Sequence, residues 1–173
     1  MSLATIMNAI VLEGNRPSFR SGLPLPNLER RKVLLKTKHV AARMADWLVL
    51  EYKSVPEGSI LGADVVGEIV QLGEGVDSMQ FQIGDNVHGF VHDASHRTPD
   101  NGGFAQYVSL DSKLAFKLGG KVTFSGKETL SEGPIDTFEG AATVSASWLT
   151  IAATPFHYMK PKLEWEPTKP QIE

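Results

Sequence analysis

Histidine is the side chain most often used to bind metals and to move protons near neutral pH. Three of the five histidines are spaced by four residues, at His88, His92 and His96. On a helix, this spacing would place three imidazoles on one face, where they could hold a metal ion. The intervening Gly89 and the alternating apolar residues around it instead favour a strand that runs into a loop, where spacing by four does not converge. We therefore favour loop or surface histidines over a metal site.

A second candidate for chemistry is Gly73-x-Gly75, which follows an apolar, strand-like segment. A Gly-x-Gly-x-x-Gly motif holds nucleotide phosphate when it opens a helix, because the amides of the helix N-terminus bind the phosphate. Here Ser78 takes the third glycine's position, and the residues that follow lack a helical period. The pattern therefore favours a tight hairpin turn, in which glycine permits positive φ, over a phosphate loop.

The remaining candidates are polar or aromatic residues near predicted turns. Asn101 and Tyr107 could position a proton donor beside a reacting atom. Asn101 also begins an Asn-Gly-Gly turn signal, and Tyr107 alternates with Phe104 as a core residue would. Asp46 and Trp47 are either a helix cap with a core tryptophan or a pair that faces a pocket.

Short strands are the elements that must position these residues. β-branched residues and turn signals predict strands over 6–13, 32–40, 64–72, 85–92, 103–110 and 114–118, with a loop between the first two. Apolar spacing predicts a short helix over 42–52. An Ala-rich stretch without proline predicts a second helix over 138–153, capped by Asp136 with Glu139 reciprocating. The predicted fold class is mostly β with a few helices, as a barrel or sandwich.

Composition limits the classes of partner. The chain has 173 residues, a formal net charge of -3 and no cysteine. A chain without a basic field is a poor ligand for nucleic acid or an anionic membrane. The lack of cysteine removes disulfides, thiolate zinc sites and cysteine nucleophiles. Neither a signal peptide nor an apolar run of about 18 residues is present, so we expect a cytoplasmic protein that binds no membrane.

Several motifs, in the same order along the chain, resemble the GroES-like domain of medium-chain dehydrogenases/reductases. They are the glycine-bearing stretch 61–89 with its F-x-I-G-D segment, Ala45-Asp46-Trp47, Asn101-Gly-Gly-Phe104-Ala-Gln-Tyr107 and Glu139-Gly-Ala-Ala-Thr143. The chain is most similar to the zinc-independent fungal branch, whose enoyl-reductase-like and quinone-oxidoreductase-like members use NADPH. The resemblance implies a GroES-like, partly open β-barrel.

The resemblance also implies which residues meet the ligands. The cofactor-facing positions are Asp46, Trp47 and Thr143, and the substrate pocket takes Asn101, Phe104 and Tyr107. Without the resemblance, Thr143 would be interpreted as a structural threonine in an Ala-rich helix. No residue is assigned to the chemical step itself.

Zinc members of the superfamily carry a cysteine on the strand-to-helix turn and a His-Glu pair on a later strand. In this chain the strand-to-helix turn is formed by residues 39–46, which include no cysteine, and Ala63-Asp64 stand in place of the His-Glu pair. The resemblance therefore implies NADPH as cofactor and neither catalytic nor structural zinc. Many fungal relatives have Asn-Pro before the Asp-Trp pair and often lysine after it, whereas this chain has Arg43-Met44-Ala45 before it and Leu48 after it.

In that family, a helix and connector lead into a Rossmann domain. We expect residues 1–130 to form the GroES-like domain and residues 131–173 to form the helix and connector, with the Rossmann domain absent. Such a truncated or naturally short product would be weak or inactive alone in hydride transfer to an activated C=C bond or quinone. It would expose apolar residues that associate, namely Trp148, Leu149, Ile151, Phe156 and Trp165. The alternative is a non-catalytic binding or homo-oligomerisation module; a co-chaperonin rests on fold analogy alone.

Overall fold

The computed structural model describes residues 3–52, 55–92, 96–119 and 137–154. Within these ranges the chain forms short strands and two helices. The strands are β1 (Ile6–Glu13), β2 (Arg16–Pro24), β3 (Lys32–Ala41), β4 (Asp64–Leu72), β5 (Asn86–Phe90), β6 (Tyr107–Asp111) and β7 (Ala115–Lys117), and the helices are α1 (Met44–Tyr52) and α2 (Phe138–Ala153). No helix of the described ranges is long and apolar enough to cross a membrane.

Two antiparallel sheets make up the β structure. β1 and β2 form a two-stranded sheet, and the other five strands form a sheet in the order β6-β3-β4-β5-β7. All strand pairings are antiparallel. The sheets do not close into a barrel, which matches a partly open GroES-like barrel and confirms the predicted fold class.

The main core follows from the two-residue period of the strands. Alternate residues of β3 and β4, such as Val33, Leu35, Val65 and Ile69, have no exposed surface and pack against one another across the larger sheet. Their neighbours along the strands face the opposite side. This alternation fixes which side chains of β3, β4 and β5 can reach α2.

Helix α2 covers the outer face of the larger sheet. Phe138, Ala141 and Ala142 pack against Val66 of β4 and Leu118. The alanines leave little side chain between helix and sheet, so the helix backbone lies close to the strands. Thr137 caps the helix by accepting a hydrogen bond from the Gly140 N–H at 2.9 Å.

The structure corrects several boundaries predicted from the sequence. Residues 16–24 form strand β2, although a loop was predicted there. Strand β5 ends at Phe90 and β6 begins at Tyr107, so both are shorter at one end than predicted. Thr137 is the N-cap of α2, whereas the predicted cap, Asp136, lies outside the described residues.

The Gly73-x-Gly75 segment is a turn inside a longer connection between β4 and β5. The Val76 N–H donates to the Gly73 carbonyl at 3.3 Å, and Gly75 has φ +76°. The prediction of a glycine turn is confirmed, but the turn does not join two strands directly. Within residues 55–92 no helix follows it, so the helix N-terminus that a phosphate loop needs is not formed there.

Candidate functional site

The turn between β3 and α1 is fixed by Asp46. This residue is 8% exposed, and its Oδ2 accepts the Arg43 backbone N–H at 2.6 Å. The Asp46 N–H donates in return to the Arg43 carbonyl at 3.1 Å. A side chain in the first helical turn that reaches back to the preceding N–H is the second half of a capping box. The contact therefore fixes the backbone that carries Arg43.

Asp64, the first residue of β4, joins three elements. Its side chain has no exposed surface; Oδ1 accepts the Ala146 N–H of α2 at 2.7 Å, and Oδ2 lies 3.1 Å from Nε of Arg43. Burial raises the pKa of this carboxyl above its usual 3.8, although the Ala146 N–H and the Arg43 guanidinium act in the opposite direction. A nearby Asp46 carboxylate adds to the increase. Desolvation thus outweighs the two partners that stabilise the charge.

Arg43 is held between a carboxylate and an aromatic ring. Its Cζ lies 5.9 Å from the centre of the Phe90 ring, within the range of a cation–π contact. Its Nε is buried, while 24% of the side chain stays exposed. Arg43 thus has its Nε enclosed beside Asp64 while part of its side chain remains accessible to solvent.

Two strand histidines face α2. His88 Nδ1 lies 2.7 Å from the Ser145 hydroxyl, and its burial lowers its pKa below the usual 6.5. His39 Nε2 lies 3.4 Å from a Glu139 carboxylate oxygen. Both side chains contribute to how α2 is seated on the sheet.

The three evenly spaced histidines do not converge. His88 lies in β5, while His92 follows that strand and is exposed, as is His96. In the described ranges, no group of three or more histidine, aspartate or glutamate side chains could hold a metal ion.

The residues expected to form the substrate pocket lie in different surroundings. Asn101 is 8% exposed, and its amide bonds both backbone groups of Ser109, at 2.8 and 2.9 Å. Phe104 is half-buried and packs beside Leu61 and α1. Tyr107 is half-buried in β6 and belongs to another apolar cluster, which includes β1.

These residues also line separate cavities. Phe104 lines a shallow, mostly apolar cavity of about 290 Å³ that Ile10 and Phe19 share. Asn101 lines a polar cavity of about 220 Å³ beside Lys32 and Arg97. Asn101 and Phe104 thus each line a cavity that the other does not, and their assignment to a substrate pocket remains a prediction.

The residues expected to meet the cofactor lie on the two helices. Asp46 is buried in the first turn of α1, and its neighbour Trp47 is 55% exposed. Thr143 is exposed on α2, and its hydroxyl donates to the Gly140 carbonyl at 2.8 Å. The link from Arg43 through Asp64 to α2 ties the two helices to the same end of β4.

Sequence reasoning gave no role to Arg43 or to Asp64. Both were noted as departures from the pattern of zinc-binding relatives. A signal that could have identified them is a charged residue beginning a strand of otherwise apolar character, since a buried charge requires a partner. The sequence did not indicate which residue that partner is.

Comparison with known proteins identifies the family. The model of the alcohol dehydrogenase GroES-like domain matches residues 29–120. The uncharacterized protein YCR102C of Saccharomyces cerevisiae is 41% identical over 165 residues, which cover 95% of this chain and 45% of that protein. The trans-enoyl reductase caaB of Aspergillus niger is 38% identical over 126 residues, covering 72% of this chain and 34% of that protein. The chain thus spans less than half the length of these relatives.

Among solved structures, the chain is similar to the human synaptic vesicle membrane protein VAT-1 homolog-like protein. The TM-score is 0.63 at 20% identity, over 87% of this chain and 43% of that one. At this identity the likeness concerns the fold alone. The family model, which matches more than half of the chain, identifies the chain as a member of the alcohol dehydrogenase GroES-like domain family, within the medium-chain dehydrogenases/reductases that include fungal trans-enoyl reductases.

Proposed function

We propose that this chain is the N-terminal catalytic domain of a zinc-independent, NADPH-dependent reductase. The reaction is hydride transfer to an activated C=C bond or to a quinone. The observation that carries the proposal is the 38% identity to a trans-enoyl reductase over 72% of the chain.

The chain's own residues supply one wall of the proposed cleft. Trp47, exposed on α1, offers an aromatic surface on which a planar ring can lie. Thr143 is exposed on α2, and its hydroxyl oxygen can still accept a hydrogen bond while its proton is given to Gly140. Asp46 acts by holding the turn rather than by reaching a ligand, since it is buried. NADPH, when bound, would supply the hydride.

The β3–α1 turn fits a zinc-independent site. Zinc ligands in proteins are thiolates, imidazoles and carboxylates, and the chain has no cysteine. The one carboxylate that begins β4, Asp64, already has the Arg43 guanidinium 3.1 Å away. A metal cation at this carboxylate would have to displace that guanidinium. NADPH is a part of the proposal that rests on the resemblance, and the cytoplasmic location is a part that rests on the targeting and hydropathy pattern of the sequence.

The proposal is tested with a chimera, because the chain spans less than half of its relatives. Residues 1–173 would replace the matching segment of the Aspergillus niger trans-enoyl reductase, and NADPH oxidation would be followed with an enone and with a quinone. We expect turnover with at least one acceptor, and a higher KM for NADPH in the Trp47→Ala chimera. A folded chimera that binds NADPH yet reduces neither acceptor would refute the proposal.

A second candidate function is a non-catalytic binding or homo-oligomerisation module. Exposed apolar residues on α2 favour it, since Trp148 is 66% exposed, Ile151 65% and Leu149 39%. Phe156 and Trp165, the other residues expected in this patch, lie outside the described residues. Contiguous exposed apolar surface marks interaction sites. A monodisperse monomer with no dye-detectable apolar surface would exclude this alternative.

A further inference from the structure

One side of the Arg43 guanidinium is held by protein and the other side is open. Nε faces Asp64 at 3.1 Å, and the Phe90 ring lies beneath the group. Within the described ranges, no residue accepts a hydrogen bond from the two terminal nitrogens. Because 24% of the side chain is exposed, these donors can reach a molecule that approaches from solvent.

The surroundings decide which kind of acceptor the donors suit. The Asp46 carboxylate lies close enough to Asp64 to influence its charge, and the Arg43 guanidinium lies beside Asp64. When all three groups are ionised the cluster is net negative. A phosphate would be repelled by the carboxylates, whereas a neutral carbonyl oxygen would accept a hydrogen bond without that penalty.

We infer that Arg43 donates a hydrogen bond to the carbonyl oxygen of the acceptor, an α,β-unsaturated carbonyl compound or a quinone. The inference rests on the proposed function for the identity of the acceptor. Asp64 is then a positioning residue, since it holds Nε and leaves the terminal donors to the ligand. The Phe90 ring restricts the guanidinium from the side.

This contact has a defined role in the reduction of an enone. When a hydride adds to the β-carbon, the C=C electron pair shifts toward the carbonyl, and the oxygen gains the negative charge of an enolate. A guanidinium already at that oxygen stabilises the charge as it develops. A proton from water would then add to the α-carbon, leaving hydroxide, and the C=O bond would re-form; NADPH would supply the hydride.

The test uses the 173-residue chain, the enone benzalacetone with a ¹³C-labelled carbonyl, and two readouts that need no cofactor. Quenching of tryptophan fluorescence gives the Kd, and infrared difference spectroscopy gives the carbonyl stretch of the bound enone. In the wild-type chain we expect saturable binding and a stretch shifted to lower frequency, because hydrogen bonding weakens the C=O bond.

A double variant, a conservative variant and a surface control separate the contact from folding. Arg43→Gln removes the charge but leaves Asp64 buried opposite a neutral group, so the double variant Arg43→Gln/Asp64→Asn is used to remove both charges together. We expect the folded double variant to bind about tenfold more weakly, as for loss of one charge-assisted hydrogen bond, and to lose the frequency shift. Arg43→Lys should retain part of the shift, and exposed Arg16→Gln should change neither readout.

Each outcome bears on the inference. It is overturned if the wild-type chain does not bind the enone, if the folded double variant keeps Kd and shift, or if inorganic phosphate competes for the site. These readouts are independent of reductase activity. If the chain binds the enone through Arg43 while the folded, NADPH-binding chimera reduces neither acceptor, this inference stands and the proposed function is refuted. If the chimera reduces an acceptor while the chain does not bind the enone through Arg43, the proposed function stands and this inference is overturned.

Discussion

Gly62 precedes β4 by two residues and lies directly under the Phe104 ring. A Cβ built on Gly62 would come within 2.4 Å of Phe104 Cδ1, and the backbone there has φ +92°. The substitution Gly62→Ala therefore has two separate costs. The positive φ costs an L-residue roughly 1–2 kcal/mol, and displacing the packed ring costs roughly 1–3 kcal/mol.

Gly84 is a matched control for the first cost. Its φ is +91°, and nothing lies within 4 Å of an added Cβ. Gly84→Ala should therefore destabilise by about 1–2 kcal/mol, from backbone strain alone. We expect Gly62→Ala to destabilise by about 3–4 kcal/mol, so the pair isolates the ring displacement at about 2 kcal/mol.

The assay is urea unfolding followed by tryptophan fluorescence. With a slope of about 2 kcal/mol/M, the expected difference between the two variants is a midpoint shift of about 1 M urea. Adding Phe104→Ala to Gly62→Ala should cost less than the sum of the single changes, because the displaced ring is then gone. Equal stability of Gly62→Ala and Gly84→Ala would refute the reasoning that Phe104 is packed on Gly62.

The remaining predictions concern buried polar groups. Burial raises the pKa of Asp64, so the folded chain keeps the Asp64 proton to higher pH than the unfolded chain does. The contribution of Asp64 to stability therefore falls as pH rises from about 3.8 through the raised pKa. Asp64→Asn should flatten that part of a plot of urea midpoint against pH. Burial lowers the pKa of His88, so the pH dependence of stability has the opposite sign. The contribution of His88 to stability is lost as pH falls from about 6.5 through the lowered pKa, and His88→Gln should remove that loss. Asn101→Ala should destabilise by about 2–3 kcal/mol in urea, because both backbone groups of Ser109 lose their partner; a cost below about 0.5 kcal/mol would mean that water replaces the amide.

The strands that the sequence located most closely carry several buried apolar residues. β1 alternates apolar residues toward one core, whereas β3 and β4 contain consecutive buried residues because β4 packs on the sheet core on one face and on α2 on the other. β2 has no such period, because it pairs only with β1 and almost all of its residues are exposed. Its prolines lie at positions 17 and 24, near its ends, where they suggest a loop. An edge strand without a core face leaves no hydrophobic signal to detect.

In the candidate site, the sequence indicated the local contact and missed the long-range one. The contact of Asp46 with the Arg43 N–H spans three residues, and a cap was one of the two interpretations of that aspartate. The contact of Asp64 with the Ala146 N–H spans 82 residues, and no local pattern indicates it. A buried carboxylate at the start of β4 could be recognised as requiring partners, but only the folded chain brings Arg43 and α2 to it.

That long-range contact sets the relation between the two exposed residues that we assign to the cofactor. Trp47 follows Asp46 on the helix that Arg43 precedes, and Thr143 lies one helical turn before Ala146. The Asp64 carboxylate accepts the Ala146 N–H and forms an ion pair with Arg43, so it connects the helix that carries Trp47 to the helix that carries Thr143. A change at Asp64 should therefore alter the position of both residues without touching either. Burial disfavours the charged form of the Asp64 carboxylate, yet this carboxylate joins α1 and α2 at one end of β4.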